Sequence, residues 1–284
     1  MFNSPQFNVD LNKINPLKAR FKDQINLASK LTFSKVINSW KLLASYYFSK
    51  LLKKPVQWGF PASISFEPTT SCNLRCPECP SGLRAFTRPR GMLENKFFEK
   101  TIVQLKNELH YLTFYFQGEP YLNPAFLDMV KFAHKNKIYS ATSTNGHYLN
   151  EEIAQKTIDS GLDRLIISID GTTQETYESY RVGGKLEKAL EGARNVIKAK
   201  KENNTSKPFV IFQFLVVSHN EHQIDDVLRL GKEIGVDEVR LKTAQVYDYE
   251  NGNELIPSID KYSRYYQKKD GTWGVKNKMI NSCW

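Results

Sequence analysis

The segment Tyr139–Gly171, YSATSTNGHYLNEEIAQKTIDSGLDRLIISIDG, decides the architecture of this chain. Tyr139–Thr144 reads as a strand, and Asn145-Gly146 after it as a turn. Glu151–Ser160 reads as a helix that stops at Gly161, and Arg164–Ile169 as a second strand ending in Asp170-Gly171. Strand, turn, helix and strand in that order make a βαβ unit. Its two strands lie parallel, joined by a right-handed crossover.

The same alternation continues in both directions. Upstream lie a short β run at Ser63–Phe66, an amphipathic helix at Asn95–Asn107, an aromatic-rich strand at Tyr111–Phe116 and a helix at Pro124–Asn136. Downstream come a helix at Leu186–Lys201, a strand at Phe209–Val217, a helix at Glu221–Ile234 ending at Gly235, and a strand at Glu238–Lys242. Six strands are too few for the eight-stranded closed barrel. The expected fold is therefore α/β, a partial (βα)6 TIM-like barrel with parallel strands. Loops after such strands share one rim, where ligands of parallel α/β folds bind. Cys72–Cys79, Gln117–Pro120, Asn145-Gly146 and Asp170-Gly171 all follow strands in this reading.

The flanks differ from this middle. Residues 1–30 are polar without a sustained period and read as loosely structured. Ser34–Leu52 is helical, with Val36, Ile37, Trp40, Leu43, Tyr47 and Leu51 on one stripe, and Pro55 and Gly59-Phe60-Pro61 end it. Two readings of this helix stand side by side. In the simpler one the apolar stripe packs on the barrel and the lysines face water. In the other, Lys35, Lys41, Lys50, Lys53 and Lys54 flank a stripe that meets a membrane surface or a partner. From Tyr247 onward the periodicity fades into a polar tail. The expected organisation is a basic helical N-terminal extension (1–60), a core domain (61–246) and a C-terminal tail (247–284).

Composition bounds the rest. With 284 residues, 40% apolar and 25% charged, the chain suits one large soluble α/β domain. No run approaches the ~18 apolar residues of a membrane span, and no secretory signal pattern opens the chain, so a cytoplasmic address is expected. The net charge of +10 is uneven. Residues 1–60 hold ten basic and two acidic side chains, a net +8, which leaves +2 for the remainder. The body is thus nearly neutral, which argues against a nucleic-acid partner.

Three of the four cysteines fall in Cys72-Asn-Leu-Arg-Cys76-Pro-Glu-Cys79, a C-x3-C-x2-C spacing. Ligands so close together point to one metal centre rather than a disulfide framework. Three thiolates in one loop can hold three irons of a cubane cluster and leave the fourth iron open. The spacing also suits a non-catalytic zinc module that recruits a distant fourth ligand, or an iron–sulfur electron carrier. The five histidines form no metal pattern.

Taken with its neighbours, the cysteine triplet resembles the signature of the radical S-adenosylmethionine (SAM) superfamily. Gln117-Gly118-Glu119-Pro120 resembles the family's Gly-Gly-Glu-Pro motif with Gln in first place. Ser143-Thr144-Asn145-Gly146 and Ser168-Ile169-Asp170-Gly171 resemble its loops after the third and fourth strands. The likeness runs from about Ile64 to Lys242. It implies a [4Fe–4S] cluster on Cys72, Cys76 and Cys79, and SAM held by the open iron. One-electron cleavage of SAM then yields a 5′-deoxyadenosyl radical that abstracts hydrogen from a peptide, sugar or small metabolite. It further implies Gly118 and Glu119 at the SAM amino group, Ser168 and Asp170 at ribose or carboxylate, Asn145 at the same rim, and Arg181 on the SAM carboxylate. A flavodoxin- or ferredoxin-like reductant is the implied partner. One departure is Glu78, where the family often has an aromatic residue near adenine. Asn281-Ser282-Cys283-Trp284 resembles the opening of the SPASM-type auxiliary-cluster region, so the chain is expected to be a fragment that stops before that region.

Overall fold

The computed structural model describes residues 16–276. Two helices come first, α1 (Pro16–Ser29) and α2 (Phe33–Leu52), and then β1 (Ser63–Ser65). Helices α3 (Pro80–Leu83) and α4 (Asn95–Leu105) lead to β2 (Tyr111–Phe114). Next, α5 (Phe126–Lys135) leads to β3 (Tyr139–Thr144) and α6 (Glu151–Asp159) to β4 (Arg164–Ser168). Helices α7 (Gln174–Tyr180) and α8 (Leu186–Glu202) precede β5 (Phe209–Val216), and α9 (Ile224–Ile234) precedes β6 (Glu238–Thr243). An antiparallel hairpin of β7 (Tyr265–Gln267) and β8 (Trp273–Val275) follows.

The sheet runs β1-β2-β3-β4-β5-β6 in chain order, every pair parallel. Each βα unit therefore adds its strand beside the last, as the alternation predicts. Side chains alternate across the strands. Leu112, Phe114, Leu165, Ile167, Val210, Phe212, Phe214 and Val216 join the main core, with Phe98, Met129, Val130, Ala193 and Val196 from the helices. The opposite face carries Tyr111, Tyr139, Arg164, Ile166, Ser168, Phe209, Ile211 and Gln213. It is large and aromatic where the strands begin and small and polar where they end. That taper fills one mouth of the sheet and leaves room at the other.

Helix α1 lies across the first mouth, which corrects the expectation of loose structure for residues 16–29; residues 1–15 lie outside the described residues. Asp23, buried, accepts from the Tyr139 hydroxyl at 2.5 Å and pairs with Arg164. Arg20 forks onto the buried Glu238 at 2.9 and 3.0 Å. Asn26 Nδ2 donates to Asp163 at 2.9 Å, and Lys30 lies 3.3 Å from the same carboxylate. The helix docks by charge and hydrogen bonds, so it carries no apolar stripe toward the core for a periodicity reading to find.

Helix α2 corrects a second expectation. It starts at Thr32, whose Oγ1 accepts from Lys35 N. Its stripe of Val36, Ile37, Trp40, Leu43, Tyr47 and Leu51 does not pack on the barrel; all six are exposed. Its inward face is Lys35, Asn38, Ser45 and Ser49. Asn38 exchanges two hydrogen bonds with the Phe60 backbone at 2.8 and 2.9 Å. Lys35 Nζ donates to Lys137 O at 2.5 Å, and Ser49 Oγ accepts from Val56 N at 2.8 Å. Lys35 is therefore buried beneath the helix and does not flank its apolar stripe. Among the described residues, no helix is long and apolar enough to cross a membrane. Residues 1–15 and the Asn281–Trp284 stretch with Cys283 lie outside the described residues.

Candidate functional site

A cavity of about 370 Å³ opens where the strands end. Cys72, Cys76 and Cys79 line it, with Gly118, Glu119, Asn145, Ser168 and Arg181. The nine residues named from sequence lie beyond or at the ends of β1, β2, β3, β4 and α7, and the fold brings eight of the nine to one cavity. Asp170 is the exception, because it sits behind Arg181.

The cysteine loop is held by backbone contacts. Thr69 and Met92 form an isolated antiparallel bridge, Thr70 N donates to Gly91 O at 3.1 Å, and Arg75 N to Val182 O at 3.0 Å. Cys79 opens α3, and Gly82 in that turn presses on Cys76, where an added Cβ would lie 2.5 Å from both Cys76 N and O. Burial raises the Cys76 thiol pKa, and Arg181 Nη1, 3.6 Å from its sulfur, opposes the rise. Burial pushes Cys72 to about 11, helped by Glu119 and the other two thiols. Buried thiols at neutral pH keep their protons unless a cation takes their place, which is the chemistry of a metal-binding set.

Glu119 is 2% exposed, and both its oxygens are engaged. Oε1 accepts from Thr144 Oγ1 at 2.7 Å and Tyr121 N at 3.4 Å, and Oε2 from Asn145 N at 2.9 Å. Burial nonetheless raises its pKa to about 7. A cationic ligand in the cavity would stabilise the ionised form. Gly118 beside it has φ +78, and a Cβ there would stand 1.9 Å from Thr69 O. Only glycine lets this loop lie against the cysteine loop. Asn145 also donates from Nδ2 to Asn73 Oδ1 at 2.8 Å, so it ties the third-strand loop to the cysteines.

Arg181 and Asp170 form a buried pair, Nε to Oδ2 at 2.5 Å, and Asp170 Oδ1 accepts from Leu215 N at 2.7 Å. Burial alone would lower the Arg181 pKa, but Asp170 and Cys76 hold it well above its ordinary value. With both carboxylate oxygens used, Asp170 orients Arg181 rather than facing the cavity.

Several contributors were not legible in sequence. Gln117, read only as a variant glycine, accepts through Oε1 from Ser81 N at 3.3 Å and Ser81 Oγ at 3.1 Å, with the Cys79 thiol 3.5 Å away. Glu78, read as a departure, accepts from Tyr247 N at 3.0 Å and anchors the segment after β6. Val246, Leu255, Ile256 and Tyr265 of that segment cluster with Leu74 and Cys76, so residues read as a polar tail from Tyr247 onward help cover the cysteine loop. Gln213 and Lys242 line the cavity without any motif to mark them. Among the described residues, no three His, Cys, Asp or Glu side chains converge on a single ion. The three thiols line one cavity.

Comparison with known proteins agrees with this geometry. The model of the family described as the Radical SAM superfamily matches residues 66–231. The AdoMet-dependent heme synthase of Methanosarcina barkeri is 30% identical over 62% of this chain and 48% of its own length. The PqqA peptide cyclase of Gluconobacter oxydans is 29% identical over 71% of this chain and 55% of its own. Streptococcus suis SuiB, solved bound to S-adenosylmethionine, shares the fold with a TM-score of 0.59 at 16% identity, over 77% of this chain and 48% of SuiB. The same protein solved with its precursor peptide SuiA gives a TM-score of 0.59 at 15% identity, over 77% and 47%. The chain spans about half the length of the curated relatives it matches.

Proposed function

This chain belongs to the radical SAM superfamily, and from that premise we propose that it cleaves SAM reductively at a [4Fe–4S] cluster to start hydrogen abstraction from a peptide. The observation that carries the reading is the single cavity at the strand ends lined by three thiols, a buried carboxylate and a largely buried guanidinium. Cys72, Cys76 and Cys79 would hold the cluster. The chemistry such a cluster supplies when bound is one-electron cleavage of a SAM carbon–sulfur bond, giving methionine and a 5′-deoxyadenosyl radical.

The chain's own residues divide the remaining work. Glu119 would accept from the SAM ammonium, a charge-assisted bond that would keep the buried carboxylate ionised. Arg181 and Ser168 would take the SAM carboxylate and ribose, and Asp170 fixes the guanidinium. Asn145 and Gly118 hold the rim against the cysteine loop. The segment after β6 packs over Leu74 and Cys76 and shields that side of the cysteine loop from water. The names of the peptide cyclase and of the peptide-bound SuiB support a peptide as substrate. A flavodoxin- or ferredoxin-like protein serves as reductant, and a reducing cytoplasmic setting protects the free thiols.

The test is electron paramagnetic resonance of the protein reconstituted with iron and sulfide, reduced without oxygen, with and without SAM. A [4Fe–4S]⁺ signal that shifts with SAM and is lost in Cys76→Ala is expected. A signal indifferent to SAM, or stoichiometric zinc with no cluster, would overturn the reading.

A further inference from the structure

We propose that α2 and the turn after it form a docking surface for an anionic lipid bilayer. The helix is mounted with its polar side inward. Lys35 is 1% exposed, whereas Phe33 is 81%, Trp40 67% and Leu51 76% exposed. Leu17, Phe21 and Ile25 of α1 also face out, at four-residue steps, and Trp58 and Phe60 extend the patch beyond α2. Phe48 and Trp58 pack at 4.9 Å, so the turn after α2 is tied to the helix on its outer side. Soluble monomers rarely leave so continuous an apolar face to water.

Three observations choose the occupant. First, at about 100° per residue Lys41 and Lys50 fall on opposite flanks of the α2 stripe, with Lys53 and Lys54 at its end. Not one Asp or Glu occurs between Asp23 and Glu67. An apolar stripe edged by lysines complements acyl chains edged by anionic headgroups. A second copy placed on this face would set lysines against lysines. Second, the exposed face carries Trp40 and Tyr47, with Tyr46 and Trp58 beside them, residues whose amphipathic rings suit the headgroup boundary. Third, α2 rests on the Phe60 and Lys137 carbonyls, in loops that lead into strands. The cavity and the hairpin of β7 and β8 lie at the other ends of those strands. A bilayer on α2 therefore leaves the cavity mouth open.

The experiment is cosedimentation of the full chain, purified without oxygen, with vesicles of phosphatidylcholine alone and of phosphatidylcholine with phosphatidylglycerol. Quenching of tryptophan fluorescence by brominated acyl chains is read in parallel. Binding to the anionic vesicles that weakens with salt, with quenching, is expected. Lys41→Gln/Lys50→Gln should bind about 25-fold more weakly, about five-fold per lysine. Trp40→Glu/Leu51→Glu should lose binding and quenching while keeping its circular dichroism, since both positions are exposed. Equal partition of wild type and both variants, or absence of binding to anionic vesicles, would overturn the proposal. So would a stable dimer in the absence of lipid that Trp40→Glu splits, because the face would then belong to a second copy.

Discussion

Gly118→Ala should disconnect the two loops that make the site. At Gly118 an alanine Cβ would lie 1.9 Å from Thr69 O, 2.8 Å from Thr69 C and 3.0 Å from Ser71 O. These are backbone atoms, so no rotamer relieves the overlap, and one loop must withdraw by about 1.5 Å to restore ordinary contact. Ser71 precedes Cys72, and Glu119 N donates to Ser71 O at 2.8 Å, so the retreat pulls the cysteine loop away from the buried carboxylate. The left-handed φ of +78 adds a local cost of roughly 1–2 kcal/mol for a residue with a Cβ. Overpacking against backbone adds roughly 1–3 kcal/mol. The expected loss is about 2–5 kcal/mol in a denaturant titration of the cluster-free chain, together with reduced iron content after reconstitution. Gly91→Ala is the matched control. Gly91 belongs to the same braced loop, its added Cβ meets nothing within 4 Å, and its φ is not positive, so the change should be within about 0.5 kcal/mol. If Gly118→Ala and Gly91→Ala give the same midpoint and the same iron content, the loops are not pressed together and the reasoning fails.

Three further predictions concern buried charge. Arg181→Met leaves Asp170 buried without its partner and should cost about 3–5 kcal/mol, part of which Arg181→Met/Asp170→Asn recovers; a double variant no more stable than the single one would refute a coupled pair. Glu119 is raised to about 7 by burial from an ordinary 4.5. Between these values only the unfolded chain has ionised, so stability of the cluster-free protein falls as pH rises, by up to roughly 3 kcal/mol. Glu119→Gln should flatten that slope, and urea titrations on either side of the window check it. Lys35 is lowered to about 8 by burial, with Lys30 and Lys137 adding to the shift. From pH 8 to 10.5 the folded chain has shed this proton and the unfolded chain keeps it, so stability rises with pH. Lys35→Met should remove that rise, and a variant that retains it would show that the charge is not buried under α2.

The sheet was readable because each βα unit is stabilised largely within its own stretch of sequence. Tyr139–Thr144 appears with the expected bounds, and Arg164–Ile169 shortens by one residue to end at Ser168. The unmarked elements are those whose reason to fold lies elsewhere. Helix α1 is held by Arg20 on Glu238 and Asp23 on Tyr139, partners more than a hundred residues away, and such contacts leave no local period.

At the site, the sequence by itself picked out residues that line the cavity. Cysteine spacing and the Gly-Glu-Pro and Ser-x-Asp-Gly loops are local patterns, and a parallel sheet must bring the loops after its strands to one rim. Tertiary structure decided how those residues divide their roles. Asp170 turns out to brace Arg181, Gln117 to hold Ser81, and Glu78 to anchor Tyr247. Tertiary structure also decided the sense of α2. A 3.6-residue period shows that a helix has two unlike faces, and it is silent on which one the fold uses. Here the backbone carbonyls of Phe60 and Lys137 are the surface that α2 must cover. Buried carbonyls require donors, so Asn38 and Lys35 turn inward and the apolar stripe is left facing out.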